Sequence, residues 1–222
     1  MRPDELETPA ALVARARHLY GGIRALSSEL HKLRPYICPF ERLLPLVPAN
    51  ASVLDVGCGG GLFLGLLADC GRISRGLGFD ANASAIGLAQ RMTKNLHSCA
   101  LVEFRVIDAT QDWPDGLYDV VSLIDVLHHL EPGSWKAVVA SAISRVRPGG
   151  TLLYKDMATK PRWRAWCNQL HDLLLARQWI HHVPLNEVKT FAFERHMLAA
   201  TEGAAACYWY AHEWVAFRRA DA

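Results

Sequence analysis

The sequence lacks the features that mark membrane-spanning, secreted and metal-binding proteins. Nowhere do about 20 consecutive apolar residues occur, which a transmembrane helix would need. The segment from Met1 to Ala11 carries Asp4, Glu5 and Glu7 but no apolar run, so no signal peptide is predicted. The six cysteines form no C-x-x-C pair, and no histidine cluster has zinc-ligand spacing. We expect a soluble cytoplasmic protein with reduced thiols and no bound metal.

An excess of charge of either sign is also missing. The 24 basic and 22 acidic side chains leave a net charge of +2, without the clustered basic residues typical of nucleic-acid-binding domains. We therefore expect no nucleic acid partner, although a structured RNA remains an open alternative. With 222 residues, of which 51% are hydrophobic, the chain is predicted to form one domain with a substantial core.

Short apolar runs alternate with helical spacings through the middle of the chain. Runs of this kind, apolar on both faces, are typical of buried parallel strands. They predict strands at 52–56, 73–79, 101–107 and 118–124, and a fifth strand that follows the turn 147–150 and runs through Tyr154. The intervening segments 62–70, 83–95 and 131–146 have the spacing of helices. This alternation indicates βαβ units, right-handed crossovers and a parallel sheet.

The flanking regions differ from this core. They predict a helix over 8–33 that Gly21 and Gly22 kink, short helices over 40–47 and 185–194, a helix over 163–179, and strands over 204–210 and 213–218. The last two strands are joined by only a few residues and should be antiparallel. We therefore divide the single domain, 1–222, into N-terminal cap helices (1–50), a ligand-binding core (51–157) and an acceptor-side region (158–222).

A glycine-rich loop follows the first predicted strand. It reads Asp55-Val56-Gly57-Cys58-Gly59-Gly60-Gly61 and precedes a helix, which is the context of a nucleotide-binding loop. The dinucleotide fingerprint G-x-G-x-x-G fails because Leu62 stands at its third glycine. Asp55 would repel an anion and attract a cationic amino-acid ligand. The alternative interpretation is a tight turn without a ligand.

Further acids follow the next strands at the same edge of the predicted sheet. Asp80 could accept hydrogen bonds from ribose hydroxyls, and Asp108 with Ala109 could contact an adenine amino group. An N-cap for Asp80 and a turn aspartate for Asp108 remain alternatives. After the fourth strand, Asp125 is followed by His128 and His129, either of which could be a general base. Packing of one histidine on the ligand is the alternative.

The sequence resembles the class I S-adenosylmethionine-dependent methyltransferases, in particular their small-molecule branch. The resemblance rests on successive motifs, namely VLDVGCGGG, GFDANASAI, VIDAT, DVVSLIDVLHHL and RVRPGG, and covers about half of the chain. It implies an α/β fold with a Rossmann-like seven-stranded, mostly parallel sheet, a reversed last strand and helices on both faces.

The same resemblance implies a binding site for S-adenosylmethionine and its product S-adenosylhomocysteine. The methionine part would be surrounded by Asp55, Gly57, Cys58, Gly59 and Gly61. Asp80 and Ala81 would hold the ribose, Asp108 and Ala109 the adenine, and Asp125 would close the floor of the site.

The acceptor is less defined by the motifs. No N/D-P-P-Y/F segment or Pro-Cys nucleophile occurs, and Asp156 is followed by Met157 where catechol-type enzymes have a metal-binding Asp-Asn pair. We expect no metal and a small hydrophobic or aromatic acceptor, free or carrier-bound, with O-methylation favoured. The predicted acceptor-binding residues are Tyr20, Lys155, Trp163, Trp166 and His182. A nicotinamide-dependent oxidoreductase, a non-catalytic S-adenosylmethionine-binding protein and an atypical RNA methyltransferase remain alternatives.

Overall fold

The computed structural model describes residues 8–158, 183–207 and 210–221. Within these residues the strands are β1 (Ala51–Val56), β2 (Ile73–Asp80), β3 (Leu101–Val106), β4 (Tyr118–Ile124), β5 (Val146–Met157), β6 (Met197–Cys207) and β7 (Tyr210–Arg219). They form one sheet of order β3-β2-β1-β4-β5-β7-β6. β1 to β5 are mutually parallel, and β7 is antiparallel to both of its neighbours. This arrangement confirms the predicted fold class.

Helices cover both faces of the sheet. They are α1 (Pro9–Leu19), α2 (Leu26–Leu33), α3 (Phe40–Leu43), α4 (Leu62–Asp69), α5 (Ala83–Met92), α6 (Trp135–Arg145) and α7 (Leu185–Phe193), with 3-10 turns at Arg34–Tyr36, Leu44–Leu46, Thr93–Asn95 and Leu127–His129. None of the described helices is long and apolar enough to cross a bilayer.

Alternate residues of the strands belong to two separate hydrophobic cores, one on each face of the sheet. On β1, Val53 belongs to the core under α1, α4 and α5, whereas Leu54 belongs to the core under α6 and α7. Both side chains are fully buried, as expected for a strand covered on two faces. The two layers of helices therefore leave the carboxyl ends of β1, β2 and β4 facing one common edge, where ligands of open α/β sheets bind.

Several predicted boundaries were wrong, including those of β5, which extends from Val146 to Met157, and of α6, which begins only at Trp135. The helix predicted over 8–33 is not kinked but broken, because Gly22 takes a φ of 71° and the chain leaves helical geometry between α1 and α2. β6 begins at Met197, earlier than predicted, because pairing with β7 overrides the weak strand propensity of its alanines. Tyr210 lies on β7 rather than on β6. The predicted helix 163–179 lies outside the described residues.

Candidate active site

The glycine loop joins β1 to α4 and takes left-handed backbone angles. Gly57, Gly59 and Gly61 have φ values of 63°, 54° and 82°. A Cβ on Gly57 would meet Val126 Cγ2 at 2.7 Å, and one on Gly61 would meet the Phe104 ring at 2.6 Å. A Cβ on Gly59 would meet no atom within 4 Å. Gly59 therefore borders open space, which is the property required where a ligand approaches the backbone.

Residues of the N-terminal cap cover this loop. The hydroxyl of Tyr20 donates to the carbonyl oxygen of Gly60 at 2.7 Å, and a Cβ on Gly60 would collide with the His31 ring. Burial raises the pKa of Tyr20 well above its usual value, so the hydroxyl stays protonated and donates. Tyr20, predicted to bind the acceptor, thus lies against the glycine loop.

Two carboxylates follow the first two strands. Asp55, buried at the end of β1, accepts a hydrogen bond from Ser122 Oγ at 2.6 Å. Burial raises its pKa to about 7. Asp80 accepts from the Gly59 amide at 2.9 Å and from the Asn82 amide at 2.8 Å, so it ties the end of β2 to the glycine loop. Asn82, not Asp80, is the N-cap of α5.

Asp108 lies in a turn after β3 and is partly exposed. Its Oδ1 accepts from the amide and the hydroxyl of Thr110, both at 2.8 Å, and these bonds lower its pKa. The carbonyl oxygen of Ala109 accepts from Trp113 Nε1 at 2.9 Å. These contacts are those of a turn aspartate. Among the described residues no donor contacts Oδ2 of Asp108, so this oxygen could accept a hydrogen bond from a ligand.

Asp125 is the centre of a partly buried group of charges after β4. It is one of three described non-glycine residues with positive φ, at 57°. Its Oδ1 lies 2.5 Å from Nζ of the fully buried Lys155, and its Oδ2 lies 3.2 Å from the Arg34 guanidinium. Burial alone would raise the pKa of Asp125, but the two cations hold it well below its usual range. Lys155, predicted to bind the acceptor, is thus directed to Asp125.

His128 is paired with a second buried acid. Its Nδ1 lies 2.5 Å from Asp156 Oδ1, and this oxygen also accepts from the Met157 amide at 2.8 Å. Both side chains are almost fully buried. The neighbouring His129 is exposed, and its ring lies 4.0 Å from the His128 ring between centroids. A carboxylate on Nδ1 fixes the tautomer and orientation of an imidazole, as in hydrolytic triads.

A cavity of about 150 Å³ lies beside these residues. Its lining comprises Arg34, Ile37, Cys38, Asp125, His128, His129, Met157, Tyr210 and His212. His212 Nε2 donates to the Ile37 carbonyl at 2.8 Å, and burial lowers the pKa of His212 to about 4. The imidazole is therefore neutral near pH 7. A cavity of roughly this volume accommodates one six-membered ring.

Asp125, His128 and Asp156 together offer three potential metal ligands. One ligand atom from each lies within 4.8 Å of the others. However, Lys155 and Arg34 already contact the two oxygens of Asp125, and a dication would have to displace or approach these cations. The expectation that no metal is required stays a prediction.

Sequence reasoning overlooked Arg34 and His212, and it named Asp156 only for a metal-binding pair that the sequence lacks. None belongs to a local motif, because each reaches the site through a contact distant in sequence, up to 175 residues apart for His212 and Ile37. Of the other predicted acceptor residues, Trp163, Trp166 and His182 lie outside the described part of the chain.

The comparisons with known proteins agree with this geometry. A family model described as a methyltransferase domain matches residues 29–194. A ubiquinone biosynthesis O-methyltransferase of Xanthomonas campestris pv. campestris is 31% identical over 140 residues, covering 60% of this chain and 53% of that protein. One from Methylococcus capsulatus is 33% identical over 112 residues, covering 49% and 44%. The chain thus spans about half the length of these curated relatives.

Solved structures show the same fold. Magnesium protoporphyrin IX methyltransferase from Synechocystis PCC 6803, solved with bound SAH, superimposes with a TM-score of 0.68 at 20% identity, covering 93% of each chain. The N-methyltransferase NodS from Bradyrhizobium japonicum WM9 gives a TM-score of 0.63 at 22% identity, covering 82% of this chain and 98% of that one. The family model covers residues 29–194, which is most of the chain. This chain therefore belongs to the methyltransferase-domain family, among the class I S-adenosylmethionine-dependent methyltransferases.

Proposed function

We propose that the protein transfers the methyl group of S-adenosylmethionine to a hydroxyl of a small hydrophobic or aromatic acceptor. The observation that carries this proposal is the juxtaposition at one sheet edge of an open glycine loop, strand-end carboxylates and a ring-sized cavity. When bound, the sulfonium supplies an activated methyl group for direct SN2 displacement. The protein then needs to orient two reactants and manage one proton.

The amino-acid part of the cofactor fits the charges next to the glycine loop. Arg34, Asp55 and Gly57 line one small cleft there, together with Cys58. An amino acid carries a cation and an anion, and this cleft offers an acid and a guanidinium for them. Gly59 and Gly61 allow the backbone approach. At this loop, Asp55 would repel the pyrophosphate of a nicotinamide cofactor.

The nucleoside part would extend along the ends of β2 and β3. Asp80 Oδ1 and Oδ2 each accept one backbone amide, so each retains a lone pair for a ribose hydroxyl, with Ala81 alongside. Asp108 and Ala109 follow at the end of β3, where they would meet the adenine. Asp125, held by Lys155 and Arg34, would form the floor between the cofactor and the acceptor cavity.

His128 is the proposed general base. With Asp156 accepting at Nδ1, its Nε2 is the basic nitrogen, and it would take the hydroxyl proton as the oxygen attacks the methyl group. The name of the relatives, O-methyltransferases of ubiquinone biosynthesis, favours oxygen as the nucleophile. The comparisons do not favour an oxidoreductase, a non-catalytic binding protein or an RNA methyltransferase.

A pair of glycine variants tests the proposal. Gly59 and Gly71 both have positive φ, and a Cβ on either would meet nothing within 4 Å, but only Gly59 borders the proposed cofactor. Both alanine variants bear the same backbone strain, of order 1 kcal/mol. In calorimetric titration with S-adenosylmethionine, we expect micromolar binding that Gly59→Ala weakens at least tenfold and Gly71→Ala leaves within twofold. Absence of binding by folded protein, or tight binding of NAD(P)H instead, would contradict the proposal.

A further inference from the structure

The helix α2 presents an apolar stripe to solvent. Leu26, Leu30 and Leu33 lie at positions i, i+4 and i+7 and are 82%, 54% and 48% exposed, and Tyr36, just beyond, is 37% exposed. This spacing places the leucines on one face of the helix. The apolar stripe of a surface helix normally faces the core, whereas the buried residue of α2 is Ser28. The leucine stripe therefore has the orientation of an interaction surface.

A basic pocket lies at the beginning of this stripe. Its volume is about 380 Å³, and it is lined by Gly21, Gly22, Ile23, Arg24, Arg91, Lys94 and Asn95. Within the described part of the chain, no carboxylate lies within ion-pair distance of Arg24, Arg91 or Lys94. Three cations from α5, the following 3-10 turn and the α1–α2 connection thus share one concave surface. Such a surface attracts an anion.

We propose that the leucine stripe and the basic pocket together form a docking surface for an anionic lipid bilayer. Lipid phosphates would occupy the basic pocket, and the leucines would enter the boundary between headgroups and acyl chains. A short helix with leucines on one side and cations at its edge has the character of an interfacial amphipathic helix. A soluble anion would account for the cations but not for the leucines, and an apolar partner would account for the leucines but not for the cations. An anionic bilayer accounts for both.

The bilayer also fits better than a second copy of this chain. Two copies packed through the leucine stripe would cover the leucines without neutralising the cations of either basic pocket, because Glu29, the acid of α2, already pairs with Lys32. A bilayer with anionic headgroups neutralises these cations instead, with a contribution of about fivefold in affinity for each cation near the surface. The position of the surface is informative as well, because α2 leads directly into Arg34, Ile37 and Cys38 of the acceptor cavity.

Vesicle sedimentation tests the proposal. The full chain is mixed with vesicles of phosphatidylcholine alone or with phosphatidylglycerol added, at low and at high salt. We expect binding only to the anionic vesicles, weakened by salt because the Debye length shortens. Arg24→Ala/Arg91→Ala/Lys94→Ala should lower the affinity about a hundredfold, at about fivefold per cation. Leu26→Ser/Leu30→Ser should lower it at least tenfold.

Matched variants separate this surface from general properties of the protein. Leu101→Ser/Leu198→Ser removes two leucines that are 75% and 54% exposed elsewhere, and Arg105→Ala/Lys189→Ala/Arg218→Ala removes three cations elsewhere. Both controls should bind vesicles within about threefold of the parent protein. The proposal is overturned if folded parent protein ignores anionic vesicles, if both controls lose as much affinity as the test variants, or if the leucine variant abolishes a dimer. Calorimetry with S-adenosylmethionine shows independently whether the methyltransferase proposal holds.

Discussion

The two halves of the candidate site are built in different ways. The cofactor half consists mainly of one continuous segment, 55–61, and the strand-end acid Asp80, which accepts the Gly59 amide. The acceptor half gathers Arg34, Asp125, Asp156 and His212 from four separate parts of the chain. The backbone angles of the loop can be predicted from the local sequence, because glycine tolerates them far better than other residues. Side-chain contacts between distant elements produce no local sequence motif, so the acceptor half can be identified only from the folded structure.

The halves also treat buried acids differently. Asp55 in the cofactor half is buried with one neutral partner, Ser122, and its pKa is raised to about 7. Asp125 in the acceptor half is partly buried beside two cations, Lys155 and Arg34, and these lower its pKa. The first group changes protonation near neutral pH, whereas the second is a permanent anion. This comparison predicts that the affinity for the cofactor depends on pH. It also predicts that breaking an ion pair beside the acceptor cavity lowers the free energy of unfolding.

The largest effect is expected from His128. Replacing it with Ala should lower kcat about a thousandfold, the usual range of a lost general base, while the Kd of S-adenosylmethionine stays within about twofold. His129→Ala is the matched control, because this exposed neighbour lacks the Asp156 contact, and it should cost less than tenfold. Radiolabelled methyl transfer to the best acceptor from a panel of phenols measures both. Equal losses in the two variants would refute the assignment of His128.

Asp156 sharpens the same test. In Asp156→Asn an amide replaces the carboxylate at His128 Nδ1, so the favoured tautomer is no longer enforced. We expect kcat to fall about a hundredfold with KM for the acceptor within about threefold. Nitrogen NMR of the imidazole should show a changed tautomer ratio. An unchanged ratio together with an unchanged kcat would mean that the pair is only structural.

A buried ion pair is predicted to stabilise the acceptor half. Lys155→Met removes a fully buried ammonium and leaves Asp125 with the more distant Arg34, so we expect a loss of about 3 kcal/mol in the free energy of unfolding. Lys189→Met breaks the exposed pair with Glu202 and should cost less than about 1 kcal/mol. Urea denaturation followed by circular dichroism measures both. A similar small loss in both variants would show that the buried pair stabilises the protein no more than the exposed pair does.

Particular residues show how far sequence reasoning reached. The five parallel strands were predictable because fully buried strands are continuous apolar runs, and the glycine loop because its angles exclude other residues. The break at Gly22 was only half foreseen, since glycine signals a deviation but not its size. The pairing of His128 with Asp156 spans 28 residues and two strands, so its partner depends on the order of β4 and β5. The ion pair of Lys155 with Asp125 was equally unpredictable. The periodicity of a strand predicts the face of the sheet on which a side chain lies, but not the residue that it contacts.

The smallest effect concerns Asp55 and pH. Its raised pKa means that the folded protein favours the protonated acid, so its stabilising contribution is full below the unfolded value, near 4, and is lost as the pH rises through about 7. A cationic ligand favours the ionised form, so S-adenosylmethionine binding should release a proton and weaken, by at most about tenfold per pH unit, as the pH falls below 7. Asp55→Asn should bind more weakly but without this slope, and above pH 7 it should gain stability relative to the parent. Calorimetry in buffers of different ionisation enthalpy counts the protons. A flat profile in the parent protein would show that Asp55 is already ionised, and the contrast with Asp125 would then reduce to a difference in partners rather than in protonation.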